Sequence, residues 1–169
     1  AVASNYRTLR SLAKKGTICA TVLKANAYGL GIKEVASCLY QEGCRHFFLA
    51  HLSEAIELQC LLKQDSFIYV LNGLRKGDEE VYAHYNLIPV LSDVSQIHAW
   101  NTFSKNKQQC LKAAIHFDTG LMRTALTPQD MKSLELADLS HTEIVCVMSH
   151  LACTYQYSHP MNKAQQIAF

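Results

Sequence analysis

The chain has 169 residues, of which 49% are hydrophobic, so its length and composition suit one globular domain with a substantial core. Sixteen Lys and Arg residues against fourteen Asp and Glu residues leave a formal charge of +2, and the basic residues are dispersed, which argues against nucleic-acid binding. No apolar run is long enough to cross a bilayer and no basic leader opens the chain, so we expect a soluble, cytoplasmic protein that does not bind membranes.

The cysteines show no disulfide pattern, and the histidines show no metal-ligand spacing. The seven cysteines are odd in number and include no C-x-x-C pair, which predicts reduced core thiols and not disulfides. The eight histidines lack metal-ligand spacing, so we expect no metal site.

Short runs rich in apolar, β-branched and aromatic residues recur along the chain. They are continuous and do not alternate with polar residues, which predicts strands buried on both faces, as in a parallel sheet. Pro89 removes a ladder donor from the fourth run and predicts a bulge or a weaker strand there. The predicted strands are residues 18–23, 46–50, 67–71, 87–91, 113–117 and 144–149.

The segments between these runs carry helical spacing and helix-capping residues. Gly43 stands where a C-terminal glycine belongs, and Ser53 is the expected N-cap of the following helix. Thr127 is the expected N-cap of a later helix, with Pro128 and Asp130 in its first turn. The predicted helices are residues 32–43, 53–63, 77–85 (the weakest), 93–103, 127–137 and a last one from about 162.

Alternating strands and helices predict the α/β class, and two architectures fit the pattern. One is an open doubly wound sheet, and the other is an incomplete (β/α)8 TIM-type barrel with about six βα units present, since a whole barrel typically needs about 250 residues. The chain begins with Ala1 instead of methionine and ends at Phe169 inside an apparent helix. We therefore expect residues 1–169 to be one domain of a longer protein, trimmed at both ends.

Polar residues follow the predicted strands at their carboxyl ends, where ligands bind in both architectures. Lys24 and Tyr28 follow the first strand, residues 118–123 the fifth and His150 the sixth. A purely structural role remains open for each, because Asp118 could simply cap a turn and a lone histidine is more often a satisfied core residue.

Lys24 ends an apolar run within the stretch TVLKANAYGLG, residues 21–31. An amine between a buried strand and a glycine loop is desolvated, which disfavours its charged form and lowers its pKa. A neutral amine is a nucleophile that condenses with carbonyl compounds, including the aldehyde of pyridoxal phosphate. The alternative is a lysine that only extends its ammonium group to solvent.

The stretch TVLKANAYGLG is similar to the cofactor-lysine signature of alanine racemases, fold-type III pyridoxal-phosphate enzymes with the typical form V-x-K-A-N-A-Y-G-H-G. The resemblance covers essentially the whole chain and implies the N-terminal barrel portion of such an enzyme. Further segments that resemble the family, in chain order, are FLAHLSEAIEL, IYVLNG, LIPVLSD, HFDTGLMRTAL and VMSHLACTY.

The resemblance implies a role for each matching residue. Lys24 would hold the cofactor covalently and, once freed by the incoming amino acid, would act as the base on one face of Cα. Tyr28 would bind the cofactor phosphate, and Leu71 would line the cofactor wall. Arg123 would lie near the cofactor phenolic oxygen and the substrate carboxylate, and His150 would serve the pyridine nitrogen through hydrogen bonds.

The chain departs from the family pattern at a few positions. The family often has a carbamylated lysine two residues before the D-T-G aspartate, but this chain has His116 there. Another anion or His116 itself would have to orient Arg123. Leu30, Leu121 and Met122 also differ from the usual residues, and we expect them to change packing only.

The implied function is racemisation of L- and D-alanine by two-base proton transfer, supplying D-alanine for peptidoglycan. The second base of the family is a tyrosine from a C-terminal β domain, contributed across a homodimer, and neither that domain nor the arginine facing the pyridine nitrogen is in this chain. We therefore expect the fragment alone to be inactive. Two alternatives remain: a racemase of another small amino acid, and a non-catalytic barrel protein that binds pyridoxal phosphate.

Overall fold

The computed structural model describes residues 1–63 and 65–169, which divide into two compact units. The first unit comprises residues 1–72 and 81–88, and the second comprises residues 73–80 and 89–169. The elements in chain order are α1 (Val2–Leu12), β1 (Thr21–Val22), α2 (Lys24–Tyr28), α3 (Ile32–Gln41), β2 (His46–Leu49), α4 (Leu52–Leu61), β3 (Phe67–Val70), α5 (Glu79–His84), β4 (Ile88–Leu91), α6 (Val94–Asn106), β5 (Leu111–His116), α7 (Pro128–Ser133), a 3-10 helix (Leu136–Leu139), β6 (Thr142–Met148) and α8 (Pro160–Ala168).

Parallel strands alternate with helices in both units, which confirms the predicted α/β class. In the first unit β1 pairs with β2 and β2 with β3, all parallel. In the second unit β4 pairs with β5 and β5 with β6, again parallel. Because every pairing is parallel, the carboxyl ends of the strands within a unit lie at one edge of the sheet. The candidate residues follow these strand ends in the sequence.

Pro89 lies outside the register of β4 with β5, which joins only Val90 and Leu91 to their partners. The missing N–H of proline therefore removes no bond from that register. The register shift lies in β5 instead, between Ala113 and Ala114, where it pairs with β6.

The prediction of strands buried on both faces holds for some strands only. Every residue of β4 is buried, as are the last four residues of β5. Burial alternates along β2, most of β6 is partly exposed and neither residue of β1 is buried, so the prediction was wrong for these three strands. Composition alone did not separate them, because their runs are also rich in apolar residues.

Capping residues place several helix ends as predicted. α3 is followed by Gly43 at φ 89°, and α7 begins with Pro128 after a capping box between Thr127 and Asp130. The prediction that Ser53 caps α4 was wrong, because the helix begins at Leu52 with His51 as its N-cap. The side chain of Glu54 accepts the backbone N–H of His51 at 3.1 Å and completes that cap.

The helix α1 was not predicted from the sequence, and one residue anchors it. Tyr6 is buried, and its hydroxyl donates to the backbone oxygen of Cys19 at 3.2 Å. Burial and the nearby Cys44 thiol raise the pKa of Tyr6 to about 12, so its hydroxyl remains a donor at neutral pH. This bond fastens α1 to the segment that leads into β1.

The thiols are free, but they are not all core residues. Cys44 is fully buried, whereas Cys60 and Cys110 are exposed, so the prediction of core thiols holds for Cys44 and fails for those two. Within residues 1–63 and 65–169, His, Cys, Asp and Glu form no group of three or more that could hold a metal ion. None of the described helices is both long and apolar enough to span a bilayer.

Candidate functional site

Lys24 is the first residue of a short helical segment that is left-handed. The φ/ψ pairs of Ala25, Asn26 and Ala27 lie near +53°/+50°, so α2 is a left-handed turn in which Tyr28 also has a positive φ. The left-handed conformation costs a non-glycine residue roughly 1–2 kcal/mol, which local sequence preference does not repay. The turn therefore depends on hydrogen bonds that oppose this strain.

Backbone and side-chain bonds close this turn at both ends. The N–H of Ala27 donates to Leu23 O at 2.8 Å, and the N–H of Gly29 donates to Ala25 O at 2.9 Å. Asn26 Oδ1 accepts the N–H of Ile32 at 2.8 Å, so its side chain ties the turn to the start of α3. The turn begins at Lys24, directly after Leu23, and ends the run of β1 there.

The polar groups of the first unit are open to a ligand. Lys24 is half-buried, and among the described residues no carboxylate lies within ion-pair distance of its amine. Tyr28 is 63% exposed, so its hydroxyl is accessible. Leu71 directly follows β3 and its N–H donates to Leu49 O at 2.8 Å, which keeps it in the ladder at the same edge of the sheet as Lys24.

In the second unit, a closed loop carries Arg123. The N–H of Leu126 donates to His116 O and the N–H of Asp118 donates to Leu126 O, both at 2.8 Å, so the loop leaves and rejoins the end of β5. Asp118 Oδ1 accepts the N–H of Gly120 at 2.8 Å and that of Met122 at 3.0 Å. These bonds, that of Gly120 first, lower the pKa of the Asp118 carboxyl and confirm its turn-capping role.

His116 is buried at the end of β5, with 8% of its surface exposed. Burial first, and then the positive charges of His150 and Arg123, lower the pKa of His116, although the nearby Thr124 carbonyl opposes this effect. His116 is therefore mostly neutral at pH 7. This imidazole is close enough to Arg123 and His150 to be affected by their charges.

His150 and Arg123 are both exposed, so the interpretation of His150 as a buried core histidine was wrong. Within the part of the chain that the structure describes, no carboxylate pairs with Arg123. The guanidinium is therefore available to an anionic ligand.

Gln165 fastens the segments around these residues, a role that we did not predict. Its side chain is 1% exposed, and Nε2 donates to Thr119 Oγ1 at 3.1 Å and to His150 O at 3.0 Å. Its Oε1 accepts the N–H of Ala152 at 2.8 Å, while Thr119 Oγ1 also contacts Ser149 Oγ at 2.7 Å. One buried amide therefore connects the D-T-G loop with the segment after β6.

Each unit carries groups that suit a part of pyridoxal phosphate or of an anionic substrate. In the first unit, the amine of Lys24 can condense with an aldehyde and the exposed phenol of Tyr28 can donate to a phosphate oxygen. In the second unit, the exposed guanidinium of Arg123 can bind a phenolate or a carboxylate. Each of these groups lacks an ion-pair partner among the described residues, so none is already engaged by another charge.

Comparison with known proteins gives consistent matches. Residues 1–169 match the family described as "Alanine racemase, N-terminal domain". A catabolic alanine racemase from Agrobacterium fabrum is 40% identical over 167 residues, which cover 98% of this chain and 43% of the relative. An alanine racemase from Rhodospirillum rubrum is 40% identical over 172 residues, which cover 100% of this chain and 46% of the relative.

A solved structure is also similar to the chain. The crystal structure of alanine racemase from Bartonella henselae with covalently bound pyridoxal phosphate matches at a TM-score of 0.95 and 38% identity, covering 99% of this chain and 47% of that one. This match confirms the incomplete barrel and not the open doubly wound sheet. The chain spans slightly less than half the length of these relatives. It belongs to the alanine racemase family, of which it matches the N-terminal domain.

Proposed function

We propose that residues 1–169 are the cofactor-holding part of a pyridoxal-phosphate-dependent alanine racemase, an isomerase that interconverts L- and D-alanine. The observation that carries the proposal is the amine of Lys24, which lies without an ion-pair partner among the described residues in a left-handed turn at a strand end. The covalently bound pyridoxal phosphate of the Bartonella henselae enzyme supports the cofactor assignment.

Lys24 and Tyr28 bind the cofactor in this proposal. When bound, pyridoxal phosphate supplies an electron sink for the carbanion at the substrate Cα. Lys24 holds the cofactor through its amine and, after the substrate has displaced it, removes or returns the Cα proton on one face. Tyr28 donates its hydroxyl to a phosphate oxygen, and Leu71 lines the cofactor wall and excludes water.

The second unit contributes groups that recognise anions. Arg123, which is exposed, would bind the substrate carboxylate or the phenolic oxygen of the cofactor with its guanidinium fork. His150 belongs to the hydrogen-bond network that serves the pyridine nitrogen. His116, which stands where the family often has a carbamylated lysine, would orient Arg123 in this proposal.

Racemisation needs a second base on the opposite face of Cα, and we propose that it comes from outside residues 1–169. In this proposal the full-length protein is a cytoplasmic homodimer whose second base is a tyrosine of the partner subunit. The D-alanine product would supply cell-wall peptidoglycan. Deleting the gene should then make growth depend on added D-alanine, whereas loss of growth on alanine as carbon source alone would indicate a catabolic role.

The cofactor assignment is tested by borohydride reduction of the full-length protein, followed by peptide mapping. We expect a pyridoxyl group on Lys24, and its presence on a different lysine would refute the assignment. Lys24→Ala should abolish turnover without changing the circular dichroism spectrum. Lys33→Ala is the matched control, because Lys33 is exposed on α3 and should leave turnover unchanged.

Substrate profiling of the full-length protein separates the remaining alternatives. Alanine should turn over fastest. Much faster turnover of serine or lysine would assign the protein to another amino acid, and no visible absorbance band after addition of pyridoxal phosphate would favour a non-catalytic barrel.

A further inference from the structure

Glu54, in the first turn of α4, joins two segments that are distant in sequence. Its Oε2 accepts the backbone N–H of Ala50 at 3.0 Å and that of His51 at 3.1 Å, at the end of β2. Its Oε1 accepts the N–H of Ala25 at 2.7 Å, from a residue 29 positions earlier in the chain.

The bond to Ala25 exceeds what capping of α4 requires. The capping box needs only the oxygen that accepts from His51, which is Oε2. Oε1 is thus available to the left-handed turn, where it binds the first residue after Lys24. Hydrogen bonds to a carboxylate are about twice as strong as those between neutral groups, so this bond is suited to hold a strained turn.

We propose that Glu54 is a positioning residue for Lys24. Its carboxylate accepts the Ala25 N–H, an interaction called the clasp below, and so fixes the direction in which the Lys24 side chain points from the end of β1. This inference rests on the proposed function, because only a Lys24 that binds the cofactor needs such positioning. The clasp acts on the backbone, so Glu54 itself contacts neither cofactor nor substrate in this proposal.

Two variants separate the clasp from the helix cap. Glu54→Gln keeps the shape but replaces one oxygen by an NH2 group, which then faces a backbone N–H donor. Glu54→Asp keeps the charge and the cap, but the side chain is one methylene shorter and cannot also reach Ala25. The control is Glu57→Gln, one turn later on α4, where the glutamate is exposed.

The experiment uses the full-length protein loaded with pyridoxal phosphate. It measures the cofactor dissociation constant, kcat and KM for alanine, and the pH midpoint of the visible band of the bound cofactor. Loss of a charged hydrogen bond predicts that both Glu54 variants weaken cofactor binding and lower kcat by roughly ten- to a hundredfold. The pH midpoint should also move, which simple loss of stability would not cause.

The control distinguishes the two possible failures. If wild type and Glu57→Gln bind cofactor and racemise alanine, and the folded Glu54→Asp variant matches them in kcat and pH midpoint, then Glu54 is only a helix cap and this inference is overturned. If wild type itself binds no cofactor, the proposed function fails and this inference fails with it.

Discussion

Replacing Gln165 by methionine tests whether one buried amide holds the second unit's loops together. Methionine has a similar volume but cannot hydrogen-bond, so the change removes the acceptor of Ala152 N–H and the donor to His150 O. Thr119 Oγ1 keeps its hydrogen bond with Ser149 Oγ at 2.7 Å, so the loss of the Gln165 donor costs less at this atom. We expect the largest single effect from the N–H of Ala152.

The magnitude follows from these groups. An unsatisfied part-buried group costs about 1–3 kcal/mol, and the exposed position of His150 lets water replace its lost donor, so we expect a destabilisation of about 2 kcal/mol. Gln166→Met is the matched control, because the neighbouring Gln166 is exposed and should change stability by less than about 0.5 kcal/mol.

The assay is urea unfolding of the full-length protein, followed by fluorescence and by circular dichroism. Because His150 and the Arg123 loop lose a common anchor, we also expect a higher KM for alanine in Gln165→Met. Equal unfolding midpoints for Gln165→Met and Gln166→Met would refute the reasoning.

Three further predictions concern single residues. The pKa of Asp118 is lowered in the folded state, so its contribution to stability is present above its unfolded pKa and is lost as pH falls through the folded pKa. In denaturant titrations at acid pH, the free energy of unfolding of Asp118→Asn should therefore fall less with decreasing pH than that of the wild type. The pKa of His116 is also lowered, so the unfolded chain binds a proton first and stability falls as pH drops below about 6.5; His116→Gln should reduce this loss, and the rest should persist because burial lowers the pKa of His46 in the same way. Thr127→Ala removes the capping box with Asp130 and should cost about 1 kcal/mol, and an unchanged unfolding midpoint would contradict this.

The sequence alone was sufficient wherever the signal is local. Continuous apolar runs predicted the order of the six strands, because burial of apolar residues needs no knowledge of the partner. Thr127 and Pro128 predicted the start of α7, because an N-cap bonds to residues only two or three positions away. The stretch at residues 21–31 singled out Lys24 for the same reason: the motif is contiguous.

The tertiary structure decided whatever depends on distant partners. Alanine has no intrinsic preference for the left-handed region, so the turn at residues 25–27 could not be predicted from its own residues. It is held in part by the carboxylate of Glu54, 29 positions away. Gln165 likewise bonds to Thr119 across 46 positions. Hydrogen bonds of this range exist only once the chain has folded, and therefore no local pattern encodes them.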